Sequence, residues 1–164
     1  RTTCPESCHH WDDCYGNNMP FAHRFRTPNI DLFLEREIEE LMQKHTEGIV
    51  IRLHVLGDFF SVEYVLFWEE MMFRHSKLCL FGFTARRSGT YIGRAIQTLN
   101  RHFSERCVIR SSRNIEYDSE WSYAAEGSFE GKSFDCPEQT DKVASCAACG
   151  LCWTTTKTVR FLSH

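Results

Sequence analysis

From Thr27-Pro28 onward the apolar positions of the chain switch between two spacings. Ile30, Leu34, Ile38, Leu41 and Met42 recur at three- and four-residue steps, with Glu35, Glu39 and Glu40 left for solvent. That pattern predicts an amphipathic helix opening at Thr27-Pro28 and ending near Gly48. Ile49-Val50-Ile51-Arg52-Leu53-His54-Val55-Leu56 then forms a mostly apolar, β-branched run stopped by Gly57-Asp58, the signature of a buried parallel strand. Ser61 is placed to cap a second helix in which Val62, Val65, Leu66 and Met72 share a face. Leu78 to Thr84 reads as the next strand, Ile92, Ala95, Ile96, Leu99 and Phe103 as a third helix, and Cys107 to Arg110 as a short third strand. A fourth strand is expected at Val159 to Leu162, after a long Gly- and Ser-containing segment from about residue 112 to 157.

Strands alternating with helices of this length specify right-handed βαβ units, hence an α/β fold with a parallel sheet and helices packed outside it. The strands are too few to close an eight-stranded barrel. The expected architecture is therefore a small parallel βα sheet or partial (half) barrel, a single domain over residues 1–164, with cysteine-rich irregular segments at both ends. In such folds ligands bind beyond the carboxyl ends of the strands. Those ends are Gly57-Asp58-Phe59, Thr84-Ala85-Arg86-Arg87 and Ser111-Ser112-Arg113.

Seven of the nine cysteines lie in the terminal segments, away from the stretch that must supply the core. Cys146, Cys149 and Cys152 form a C-x2-C-x2-C run, and Cys136, followed by Pro137, is the expected fourth ligand of the same centre. Successive two-residue gaps let neighbouring thiolates converge on one metal. Zinc ribbons show two separated C-x2-C knuckles, whereas this run with Gly150 inside it resembles the ferredoxin pattern. An iron-sulfur cluster, of the 4Fe-4S type, is thus favoured over zinc. Cys4, Cys8 and Cys14 open the chain at C-x3-C-x5-C spacing, with His9, His10 and Asp12 among them. Three readings of this triplet stand: a remote residue completes its site, one iron is left open to a small molecule, or both segments build a single centre.

A chain with 42% hydrophobic residues can bury a core without covalent staples, so the cysteines are not needed as stabilisers. An odd cysteine count and the absence of a signal-peptide pattern weigh against a secreted disulfide scaffold. No apolar run approaches the length of about 18 residues that spans a membrane. The expected setting is the reducing cytosol of the cell that makes the protein. A net charge of -3 argues against a protein that coats nucleic acid, leaving only local basic spots at His23-Arg24-Phe25-Arg26, Arg86-Arg87 and Arg110 with Arg113.

Within the strands, Cys79 and Cys107 are expected as inert core thiols. His54 and Asp58 stand near one strand's carboxyl end. There a histidine can move a proton and an aspartate can bind an ammonium or a ribose hydroxyl, or Asp58 simply caps the turn while His54 is held in the core. Trp11, Trp121 and Trp153 flank the cysteine segments and are expected either to shield a cluster or to pack as ordinary aromatics.

Taken together, Thr3-Cys4-Pro5-Glu6-Ser7-Cys8 with Cys14-Tyr15, Arg52 to Phe59, and Cys136-Pro137-Glu138-Gln139 with Cys146, Cys149 and Cys152 resemble a family of small bacteriophage and prophage proteins named after a mycobacteriophage gene product. The resemblance spans nearly the whole chain and implies a viral or mobile-element origin and a cysteine-bound metal. A second, more distant similarity is to radical S-adenosylmethionine enzymes. These place three cluster cysteines before a partial βα barrel and hold the cofactor's amino group at a Gly-rich acidic motif. It implies S-adenosylmethionine near Gly57 and Asp58 and an electron donor as partner. The triplet here departs from the C-x3-C-x2-C spacing of those enzymes, and Asp13 replaces the aromatic residue before the last cysteine. The alternative expectation is a zinc- or cluster-stabilised module that binds a host protein or nucleic acid through Arg24, Arg26, Arg86 and Arg87.

Overall fold

The computed structural model describes residues 3–6, 8, 11–12, 14, 27–112, 124–126 and 133–161. His9, His10, His23 to Arg26, Arg113 and Trp121 lie outside them. Helix α1 (Ile30–Lys44), strand β1 (Ile49–Leu53), α2 (Val62–Arg74), β2 (Leu78–Thr84), α3 (Tyr91–His102) and β3 (Cys107–Ser111) follow in strict alternation. The strands form one parallel sheet in the order β1-β2-β3. Leu53 pairs with Gly82, which in turn pairs with Ile109, so the three strands end nearly level. This is the small parallel βα sheet that the alternation predicts, and among the described residues it closes no barrel.

The pleat sorts side chains onto two faces. Ile49, Ile51, Leu53, Leu78, Leu80, Cys107 and Ile109 point to the helices, where they meet Ile38, Val65, Trp68, Met71, Met72, Ile96 and Leu99. Burying a side chain of this size contributes about 1.5–3 kcal/mol each, so this layer dominates the stability. Ser61 caps α2 by accepting from Tyr64 N at 3.1 Å, and Thr90 caps α3 by accepting from Gly93 N at 3.0 Å. Arg106 fastens the far end: its guanidinium donates to the carbonyls of Met72, His75 and Leu78.

Three expectations need correction. β1 stops at Leu53 rather than Leu56, because pairing with β2 ends at Gly82. The buried face of α2 is Tyr64, Val65, Trp68, Met71 and Met72, while Leu66 is half exposed. The last strand, β6 (Thr158–Phe161), does not extend the first sheet. It is the centre of a second parallel sheet, between β4 (Ala124–Glu126) and β5 (Ser133–Asp135). This second sheet meets the helix-free face of the first: Phe83 packs edge-on against Phe161 at 5.5 Å and joins Val159, Phe134 and Cys136 in a separate apolar cluster.

Candidate metal centre

Cys136 follows β5 directly and is held there by its backbone N–H, which donates to Arg160 O at 2.9 Å. Thr140 N and Oγ1 both donate to the Cys136 carbonyl, turning the chain back after Pro137. Ser145 then accepts from Ala148 N and starts a single turn, α4 (Cys146–Cys149), which sets Cys146 and Cys149 three residues apart on that turn. Gly150 reverses the backbone at φ 72° and opens α5 (Leu151–Thr154), which carries Cys152 and Trp153. Trp153 lies on Phe81 of β2, with ring centroids 5.2 Å apart. The short helical turns therefore rest on the helix-free face of the first sheet, and the C-terminal segment is less irregular than its composition suggests.

Cys136, Cys146, Cys149 and Cys152 line one pocket together with Phe134, Pro137, Glu138 and Leu151. Burial pushes the Cys146 and Cys152 thiols above their ordinary value, and neighbouring cysteines of the same group push them further. Glu138 acts in the same direction on Cys146. Two arginines oppose this: Arg110 lowers Cys152 and Arg52 lowers Cys146. Four soft sulfur donors, mutually repelling once ionised, are chemically suited to a thiophilic metal that would relieve that repulsion. As the side chains stand, no group of three or more Cys, His, Asp or Glu among the described residues is arranged to hold a metal ion.

The N-terminal triplet sits elsewhere, at the exit of β1. Cys8 N donates to Pro5 O and Trp11 N to Cys8 O, two successive turns. Cys4 is held above its ordinary value by burial first, then by Asp58, Cys8 and Cys14. The triplet and the Gly57-Asp58 corner are thus neighbours. Gly57 has φ 90°, and a Cβ there would fall 2.5 Å from Thr3 Oγ1, so glycine is required both for the backbone and for the approach of the cysteine loop.

Asp58 is 5% exposed and its carboxylate is engaged inside the fold. Oδ1 accepts from Phe59 N and Thr84 Oγ1, both at 2.7 Å, and Oδ2 accepts from Ala85 N at 2.8 Å. Burial pushes its pKa up while these bonds and Arg86 hold it down. Asp58 therefore locks the exits of β1 and β2 together. His54 faces the other way: Nε2 lies 3.3 Å from Tyr64 Oη, Phe59 packs edge-on at 4.6 Å, and Nδ1 is buried without a partner among the described residues. Burial brings its pKa down to about 4.

Two arginines of the local basic spots have internal duties instead. Arg86 donates to Phe59 O and Thr3 O, and Arg110 is wholly buried, donating to the carbonyls of Cys152, Thr155 and Lys157. Of the strand cysteines, Cys107 is buried and its thiol is pushed up to about 12, whereas Cys79 is only half buried. Among the described residues, no helix is long and apolar enough to cross a membrane. No model of a known protein family matches the chain, and neither a curated protein nor a solved structure does.

Proposed function

We propose that the chain is a phage-type iron-sulfur protein in which Cys136, Cys146, Cys149 and Cys152 hold a cluster of the 4Fe-4S type. The convergence of these four thiols on one pocket carries the reading. Binding would draw the sulfurs inward and displace their protons, with the metal offsetting part of the charge of the four repelling thiolates. Phe134, Pro137 and Leu151 line the site with apolar surface, which limits water and is a known lever on cluster potential.

Cys4, Cys8 and Cys14 would make a second centre beside Gly57. A cluster held by three thiolates offers an open iron, and an S-adenosylmethionine-like ligand is the proposed occupant, with an electron donor as partner. Because the Asp58 carboxylate already accepts three hydrogen bonds, its contribution would be to fix the corner, while Gly57, exposed on the outer side, would approach the ligand.

The test is the iron, acid-labile sulfide and zinc content of protein purified without oxygen, with absorption spectra before and after dithionite. Iron with matching sulfide and a bleachable visible band is expected. Stoichiometric zinc without sulfide would overturn the cluster and leave a zinc-stabilised binding module. Loaded protein that yields no 5'-deoxyadenosine from S-adenosylmethionine under reduction would remove the open-iron role of the triplet.

A further inference from the structure

Arg110 is the largest charged side chain in the interior, and nothing in the proposed cluster chemistry accounts for it. On β3, Cys107 and Ile109 face the helices, so Val108 and Arg110 face the C-terminal cysteine segment. Arg110 is 0% exposed. Its Nη1 donates to Cys152 O at 2.7 Å, its Nη2 to Thr155 O, and its Nε and Nη2 to Lys157 O at 3.4 Å. These acceptors satisfy the N–H groups but carry no net charge. Among the described residues, no carboxylate lies within ion-pair distance of Arg110, whereas the arginine ion pairs that do form, at Arg36, Arg74 and Arg160, are at the surface. A buried guanidinium without an anion is costly, and buried charges are as a rule paired.

We propose that Arg110 is the built-in counter-ion of the C-terminal thiolate centre, and that it selects for an anionic, four-thiolate metal site at this position. The proposal rests on the metal reading above. A tetrathiolate centre is net negative with either zinc or an oxidised cluster, and reduction of a cluster adds a further electron. A fixed positive charge in a medium of low dielectric therefore strengthens metal binding and favours the reduced cluster. The planar fork also ties residues 152 to 157 to β3, so the same side chain orients the loop that carries the last ligand. Arg52 acts on Cys146 from β1 but is exposed, and water screens it.

The experiment titrates apo protein with Co2+ and follows the thiolate-to-cobalt absorption band in the wild type, Arg110→Gln, Arg110→Lys and Arg52→Gln, with folding checked by circular dichroism. Arg110→Gln is expected to bind about tenfold more weakly, in the range typical of residues that support metal ligands. Arg52→Gln is expected within about threefold of the wild type, and Arg110→Lys, which keeps the charge but loses the planar fork, is expected between the wild type and Arg110→Gln. In iron-loaded protein, Arg110→Gln is expected to lower the reduction equilibrium constant about tenfold, or about 59 mV for one electron. Unchanged cobalt affinity in folded Arg110→Gln overturns the proposal. If that variant does not fold, a tenfold loss in folded Arg110→Lys does so instead. A wild type with no thiolate-cobalt band removes the metal reading itself and this inference with it, an outcome distinct from a Gln variant that binds like the wild type.

Discussion

Arg86 binds Thr3: its Nη2 donates to the Thr3 carbonyl at 2.7 Å, while its Nε donates to Phe59 O at the same distance. One guanidinium from the exit of β2 thereby joins the N-terminal cysteine loop to the exit of β1, across a separation of more than eighty residues. Charged hydrogen bonds of this kind contribute about 1.5–3 kcal/mol when their acceptors would otherwise be left unpaired.

Arg86→Met is therefore expected to free the loop without unfolding the sheet. Global stability in urea should fall by roughly 2 kcal/mol, because Phe59 O loses its donor. Cys4, now half buried, should react with a maleimide at least several-fold faster, while buried Cys107 should not change. Equal Cys4 rates in the variant and the wild type would mean that the loop is held by other contacts.

His54 makes stability depend on pH in a direction that can be worked out. Its folded pKa of about 4 lies below its unfolded value of 6.5, so between these limits the unfolded chain binds more protons. Stability from this residue is complete above pH 6.5 and is lost as pH falls towards 4. Between pH 7 and pH 4.5 the loss should be about 2–3 kcal/mol. In His54→Asn, which cannot titrate, the difference in unfolding free energy between those two pH values should shrink by about that amount. An unaltered pH dependence would show that His54 takes up its proton as readily in the folded protein as in the unfolded chain.

The central fold was legible because each element of the first sheet is a run of apolar residues with one clear period. The bounds of β2 at Leu78 and Thr84 agree with the reading from the run alone. The second sheet was not legible for the opposite reason. β4 and β5 are three-residue strands rich in small and polar residues, and only a third strand between them makes them pair. The spacing was enough to group Cys146, Cys149 and Cys152, since a one-turn helix and a glycine reversal are what such short gaps permit, whereas Cys136 reaches the same pocket through the turn that follows β5. The duties of Arg86 and Arg110 were hidden, because an arginine at a strand end reads as surface until its neighbours are known. One signal was available: in β3, Arg110 alternates with Cys107 and Ile109 in phase with Val108, so it had to face whatever covers the second side of the sheet.

The cysteines themselves separate a ligand role from a packing role. Cys149 lines the shared pocket, and Cys107 lies in the helix-facing core with its Sγ 3.6 Å from Asn100 Oδ1. Cys149→Ala is expected to remove most of the C-terminal metal while costing the apo protein less than about 1 kcal/mol, as its site is half exposed. Cys107→Ala should keep full metal content and lose roughly 1 kcal/mol of stability through the small cavity it leaves. Metal analysis of the two variants, set beside their unfolding midpoints, checks both halves. Unchanged metal in Cys149→Ala would count against the four-cysteine centre.

Gly57 offers the sharpest separation between the two cysteine groups. An alanine there meets two penalties at once, a backbone at φ 90° that L-residues avoid and a Cβ 2.5 Å from Thr3 Oγ1. The strain should cost roughly 1–3 kcal/mol. The backbone strain is relieved by turning the β1 exit, and the close approach by rotating the Thr3 side chain or shifting the Thr3-Cys4 loop outward. Movement of the exit or of the loop alters the surroundings of Cys4, Cys8 and Cys14, whereas Cys136, Cys146, Cys149 and Cys152 are carried by the second sheet and the two short helices that follow it. Gly57→Ala is therefore expected to lower iron held by the N-terminal triplet, measured in a Cys149→Ala background, and to leave the C-terminal centre intact, measured in a Cys4→Ala background. Equal loss from both centres would mean that the two groups of thiols build one site.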